Sequence, residues 1–181
     1  MRPTNLTLIG MPGAGKSTVG IILAKNLSLG FIDTDVLIQI NRQQSLQQIL
    51  DERGHLVLRA IEEEEILKLN VERHVIATGG SAAYSERAMA HLGACSLIVF
   101  LEVSFAEINR RIRNFATRGI AKSPEQTFRQ LFDERQVLYQ RHAGLTIRCD
   151  GLDQEAVAER IASCIQRSAD GFLRTVNAET R

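Results

Sequence analysis

A chain of 181 residues, 44% of them hydrophobic, suits one α/β domain with a proper core and is short for two. Its 22 basic and 21 acidic residues nearly cancel, which leaves no whole-molecule charge argument for nucleic acid or membrane, and neither is expected as a partner. Cys95, Cys149 and Cys164 are scattered with no Cys-x-x-Cys, which indicates neither a disulfide framework nor a zinc site; with no signal peptide or apolar run of spanning length, a cytoplasmic protein is expected.

Strand and helix signals then alternate along the chain. Residues 5–9, Asn-Leu-Thr-Leu-Ile, read as a buried strand. Residues 10–17, Gly-Met-Pro-Gly-Ala-Gly-Lys-Ser, follow at once and complete the pattern G-x-x-x-x-G-K-[ST]. Such a loop lets backbone N–H groups, here those of Gly13, Ala14, Gly15 and their neighbours through Thr18, curl around phosphate oxygens. Lys16 reaches the β- and γ-phosphates, the Ser17 hydroxyl is placed for Mg²⁺, and the helix that starts here points its positive end at the anion. Val19, Ile22, Leu23 and Leu27 carry that helix over 16–28, with Gly30 as its stop signal. A short strand near 31–33 comes next, then helices at 45–53 and 56–70 separated at Gly54. Residues 74–78 form a strand that runs into Gly79-Gly80. A helix around 86–92 leads to 96–101, the longest β-like run. Ser104 with Glu107 forms a capping box for the next helix, and Ser123-Pro124-Glu125-Gln126 opens another that runs to about His142. Residues 146–148 are the fifth strand and 153–167 the last helix.

Five short strands alternating with helices imply a parallel sheet covered on both faces, a three-layer doubly wound domain. Ligands in such sheets sit beyond the carboxyl ends of the strands, where the segments 10–17, 33–35 and 79–81 fall. Residues 1–168 read as a single domain, and 169–181, which lose apolar periodicity, as a mobile tail.

The phosphate loop alone does not separate kinases from GTPases or larger ATPases. Small size argues against the larger machines, and no Asn/Thr-Lys-x-Asp guanine-reading motif occurs. Small-molecule phosphoryl transfer remains. Further segments narrow it. Phe31-Ile-Asp33-Thr-Asp35 resembles the Asp-Thr-Asp or Asp-Ser-Asp segment of the shikimate kinase family, and Leu58-Arg59-Ala-Ile-Glu62 is similar to its Phe-Arg-x-x-Glu. Thr78-Gly79-Gly80-Ser81 resembles its Gly-Gly-Gly, Arg118 its lid arginine, and Arg135 with Tyr139 its Arg-x-x-x-Tyr. The likeness runs in register over residues 5 to about 165.

That resemblance implies a P-loop, nucleoside-monophosphate-kinase-like fold and a monomeric, ATP- and Mg²⁺-dependent kinase that forms shikimate 3-phosphate, a step of aromatic amino-acid biosynthesis. It implies that Asp35 accepts hydrogen bonds from ring hydroxyls and orients the nucleophile, and that Arg59 and Arg135 hold the substrate carboxylate. By the same likeness Asp33 faces Mg²⁺ through water, and Gly79 and Gly80 bring backbone N–H groups close to the acceptor. Arg118 closes over the phosphates from a lid at about 113–122, and Arg111 flanks the adenine.

Simpler roles stand beside these. Asp33 and Asp35 are placed to cap the helix that follows. Arg59 is placed to pair with Glu62 and Glu63 at i+3 and i+4, and Arg135 to lie solvated on its helix. Residues 62–65, four acids in a row, read as one solvated helix turn, and the histidines at 55, 74, 91 and 142 have no ligand spacing. Two departures from the family pattern bear on the acceptor: Gly119 stands where a lid proline is usual, and Ser81 replaces the third glycine. Gly119 is expected to loosen the lid, so that a proline with compatible φ would restrain it. A same-fold kinase for another polyhydroxy acid such as gluconate is the alternative, as is a non-catalytic ATP-binding regulator.

Overall fold

The computed structural model describes residues 4–112, 119–123 and 125–167. Five strands form one sheet in the order β2-β3-β1-β4-β5, with every neighbouring pair parallel. They are β1 (Asn5–Ile9), β2 (Gly30–Asp33), β3 (His74–Ala77), β4 (Ser96–Glu102) and β5 (Leu145–Arg148). The helices are α1 (Lys16–Leu27), α2 (Thr34–Arg42), α3 (Leu46–Leu67), α4 (Glu86–Cys95), α5 (Phe105–Arg111), α6 (Phe128–His142) and α7 (Gln154–Arg167), with a 3₁₀ turn at Ala82–Tyr84.

β1 is central and buried along its whole length. Parallel strands are covered on both faces, so they read as continuous apolar runs. The polar exceptions are paired. Asn5 donates to the Val71 carbonyl at 2.7 Å and accepts from His74 N–H at 2.9 Å, which stitches β1 to the entry of β3. Thr7 shares a 2.7 Å hydrogen bond with Ser96 on β4. Leu6, Leu8, Val75, Val99 and Phe100 are inaccessible to solvent and anchor the core. Each buried aliphatic side chain of this kind contributes about 1.5–3 kcal/mol.

The register fixes the active edge. Leu8 pairs with Ala77 and Asp33 pairs with Ala77 on the other side of β3, so the strand ends after Ile9, Asp33 and Ala77 lie close together. The expected segments 10–17, 33–35 and 79–81 lie at these ends, with β3 stopping at Ala77, one residue earlier than its pattern implies.

Several local expectations change. Ser28, left-handed at φ 53°, ends α1, and Gly30 instead opens β2 with its N–H on the Arg73 carbonyl at 2.8 Å. The element pattern assigns no span to the helix that Asp33 is placed to cap; it is α2, which begins directly at the end of β2 with Asp33 as its cap. α6 starts at Phe128, not at 123. Thr127 and Gln130 make the reciprocal capping box, whereas Ser123 and Gln126 close a turn, with Gln126 N–H on the Ser123 carbonyl at 3.1 Å. At Ser104 the hydroxyl accepts from Glu107 N–H, but the Glu107 carboxylate turns to Arg110 and Arg111, so half of that box forms. The interruption at Gly54 is real, with φ 80° and ψ 171° inside α3. Among the described residues no helix is long and apolar enough to cross a membrane. The 169–181 tail lies outside the described residues.

Candidate active site

A cavity of about 420 Å³ opens at this edge, walled by the phosphate loop, the start of α2, α3, the β3 loop and α6. Gly13, Gly15, Lys16, Ser17, Asp35 and Arg135 are among its lining residues. The loop from Gly10 to Gly15 runs through positive φ at Gly10, Gly13 and Gly15 and delivers the chain into α1. Lys16, only 8% exposed, folds back so that its ammonium donates to the Gly10 and Met11 carbonyls at 2.8 and 3.0 Å. Burial pulls its pKa down from 10.5 to about 8, against the opposing pull of Asp35.

Asp33 serves two groups at once. One carboxylate oxygen accepts from the Asp35 and Val36 N–H groups at 3.0 and 3.4 Å, capping α2, and the other accepts from the Ser17 hydroxyl at 2.5 Å. The cap therefore orients the oxygen that meets Ser17. Two hard oxygen donors adjoin here, the kind of partial set that suits Mg²⁺ completed by water and phosphate. Asp35, the next residue but one, points into the cavity, and burial followed by the Glu62 charge raises its carboxyl from 3.8 to about 7.

Gly79 is positioned by its N–H on the buried Thr34 hydroxyl at 3.1 Å. A Cβ there would collide with the carboxylates of both Glu62 and Asp35, so only glycine lets the β3 loop pass between them. At Gly80 a Cβ would lie 2.8 Å from an Arg135 guanidinium nitrogen. The Gly80 carbonyl accepts from the Tyr139 hydroxyl at 2.5 Å. Arg135 and Tyr139, one helical turn apart on α6, thus clasp the same loop.

Arg135 is 1% exposed, which excludes the solvated-arginine alternative. It donates to the Ala121 carbonyl at 2.7 Å. Arg59 approaches the same carbonyl at 3.4 Å and lies over the Tyr84 ring, 3.5 Å from its centroid. The expected alternative pairing of Arg59 with Glu62 and Glu63 is not what forms. Glu63 instead accepts from Ser85 and Arg87, and Glu62 accepts from the Ser81 hydroxyl. The acid run is not one solvated turn either, since Glu62 and Glu65 are each 3% exposed. Glu65 ties α3 to α2 through Asn41 at 2.7 Å, and burial raises the Glu62 pKa. Periodicity carries the signal for this, because 58, 61, 62, 65 and 66 share one face and Leu58, Ile61 and Ile66 are its apolar members.

Glu62 and Tyr84 are the site groups to which the sequence assigned no role. Arg111, expected beside the adenine, does not line the cavity. It ends α5 with its guanidinium on Glu107 at 2.7 Å, and its charge is felt by Cys149 after β5. Arg118 lies outside the described residues. The part of the expected lid that is described is packed: Ile120 is 5% and Ala121 3% exposed. Gly119 has φ 60° and donates its N–H to Gln47 at 2.8 Å.

The family model for shikimate kinase matches residues 12–166. The chain is 33% identical to a shikimate kinase from Sulfurihydrogenibium sp. (strain YO3AOP1), covering 90% of this chain and 98% of that one. It is 38% identical to one from Paracidovorax citrulli (strain AAC00-1), over 87% of this chain and 90% of the other. Among solved structures, the shikimate kinase from Acinetobacter baumannii in complex with shikimate superposes with a TM-score of 0.83 at 28% identity, covering 90% and 93% of the two chains. A phosphate loop facing a buried arginine and aspartate across one cavity, on this sheet order and with these relatives, places the chain in the shikimate kinase family.

Proposed function

We propose that the chain transfers the γ-phosphoryl group of ATP to the 3-hydroxyl of shikimate, as a single monomeric kinase unit spanning residues 1–168. The observation that carries this reading is the shared cavity, whose lining brings Lys16 and the phosphate loop together with Asp35 and Arg135. Phosphoryl transfer passes through a loose transition state, so the protein's work is positioning and charge stabilisation more than covalent chemistry.

The residues divide that work. Backbone N–H groups of residues 13–18 cradle the phosphates, and the buried Lys16 ammonium neutralises charge growing on the β–γ bridge. Ser17 and Asp33 would hold Mg²⁺, which supplies charge neutralisation on the phosphate oxygens when bound. Arg59 and Arg135 grip the acceptor carboxylate beside Gly80, which lines the cavity, while Gly79, its N–H held by Thr34, leaves room for the Glu62 and Asp35 carboxylates. Asp35 then meets the attacking hydroxyl. With its pKa near 7 it is a far better proton acceptor than an exposed carboxylate, while orienting the oxygen in line with the γ-phosphate. By the family likeness Arg118 and Arg111 would complete the nucleotide side, Arg111 by leaving the Glu107 carboxylate with which it is paired. The Ser81 hydroxyl, spent on Glu62, does not reach into the space for the acceptor as a free donor.

A coupled ADP-release assay with Mg²⁺-ATP across shikimate, quinate, gluconate and nucleoside monophosphates tests the reading. The highest kcat/KM is expected with shikimate. Faster turnover of gluconate would transfer the reading to another polyhydroxy acid, and no turnover with any acceptor would leave the ATP-binding regulator.

A further inference from the structure

Two cationic side chains from different helices, Arg59 on α3 and Arg135 on α6, converge on the Ala121 carbonyl with no carboxylate at ion-pair distance. Among the described residues neither takes part in an ion pair. Their direct contacts are neutral, while the buried Glu62 carboxylate attracts both from beyond ion-pair distance. Both donate to the Ala121 carbonyl, and both lie over the ring of Tyr84, at 3.5 Å for Arg59 and 5.5 Å for Arg135 measured to the centroid. Both distances are within the range at which an aromatic face attracts a cation. The Nε atoms of both arginines are buried with no hydrogen-bond partner.

The geometry points to Tyr84 as a positioning residue for the acceptor carboxylate, a neutral aromatic platform that sets both guanidiniums without cancelling their charge. The inference rests on the shikimate kinase reading of the same site. Like charges held side by side repel, and an acidic residue in this place would relieve that by pairing with them. It would also compete with the carboxylate of the incoming substrate, which must then displace it. A π face adds attraction without adding a further counter-charge, so the pair stays in place and open to an incoming carboxylate. The ring itself is well seated. Tyr84 ends the 3₁₀ turn that leaves Ser81, and Ala82 and Ala83 beneath it are 3% and 2% exposed. The turn therefore joins the platform directly to the loop of Gly79 and Gly80.

Steady-state kinetics of Tyr84→Phe, Tyr84→Leu and Tyr84→Met test this, with shikimate and with its carboxamide as acceptors. Leucine and methionine keep apolar bulk but remove the ring. Each is expected to raise the KM for shikimate about tenfold, with kcat and the KM for ATP within twofold of wild type. Tyr84→Phe, which keeps the ring, should restore the wild-type KM. For the carboxamide, which brings no charge to the arginines, all three variants should match wild type. A wild-type KM for shikimate in either folded ringless variant would overturn the proposal. So would an equal loss with acid and carboxamide, or a loss that falls on kcat and ATP alike, since a merely structural ring would behave that way. If wild type itself prefers another hydroxylated carboxylate, the shikimate reading fails, and the same acid-to-carboxamide comparison on that acceptor still decides the role of Tyr84.

Discussion

Lys16 and Asp35 face each other across the cavity in states that burial has pushed toward neutrality, one down to about 8 and the other up to about 7. Both positions cost the ligand-free protein stability, and the proposed function gives each a use at the transferring phosphoryl group. Lys16→Ala should leave the fold intact by circular dichroism and cut turnover by about two to three orders of magnitude, the scale of losing one preorganised charge donor. Asp35→Asn should collapse kcat with little change in ATP affinity, and it carries a second, independent signature. A carboxyl whose folded pKa lies above its unfolded value binds its proton more tightly in the folded state. Its contribution is therefore fully present below about 3.8 and lost as pH rises through about 7. Asparagine never ionises. Thermal melts of the ligand-free enzyme should show Asp35→Asn more stable than wild type at pH 8, with the advantage fading steadily between pH 7 and 4. A stability difference independent of pH would contradict the buried-carboxylate account.

At the scale of elements, the site depends on how short segments end. Asp33 is both the cap of α2 and the partner of Ser17, so capping and the proposed metal-facing role would use one arrangement and are not alternatives. Gly119 shows the opposite lesson. Its residue type in a lid position suggests looseness, yet its φ of 60°, its N–H bond to Gln47 and the proximity of Leu46 pin it against the start of α3. Proline needs φ near −65° and has no N–H to donate. Gly119→Pro is thus expected to destabilise the enzyme and weaken acceptor binding, since Ala121, whose carbonyl holds both arginines, lies two residues on. A rise in melting temperature with unchanged acceptor KM would contradict this.

For the whole molecule, the strand pattern made the sheet and its active edge legible, because buried parallel strands are apolar throughout and their order of loops follows from alternation. The phosphate loop was equally plain, since backbone geometry demands those glycines and that lysine. What the sequence hid are residues whose role depends on a neighbour from another helix. Glu62 sits in an acidic run and looks solvated until α3 is packed against the β3 loop. Tyr84 acquires meaning only where α3 and α6 bring arginines over it. The start of α6 was misplaced because Ser123 and Thr127 carry similar local capping signals, and tertiary packing of Phe128 and Leu131 chose the second. The central claim is that this one cavity passes a phosphoryl group from ATP to a ring hydroxyl. Its most direct measurement is the identity of the product after incubation with Mg²⁺-ATP and shikimate, read by phosphorus and carbon NMR. The account predicts shikimate 3-phosphate in amounts equal to the ADP formed, whereas ADP accumulating beside unmodified shikimate would contradict it.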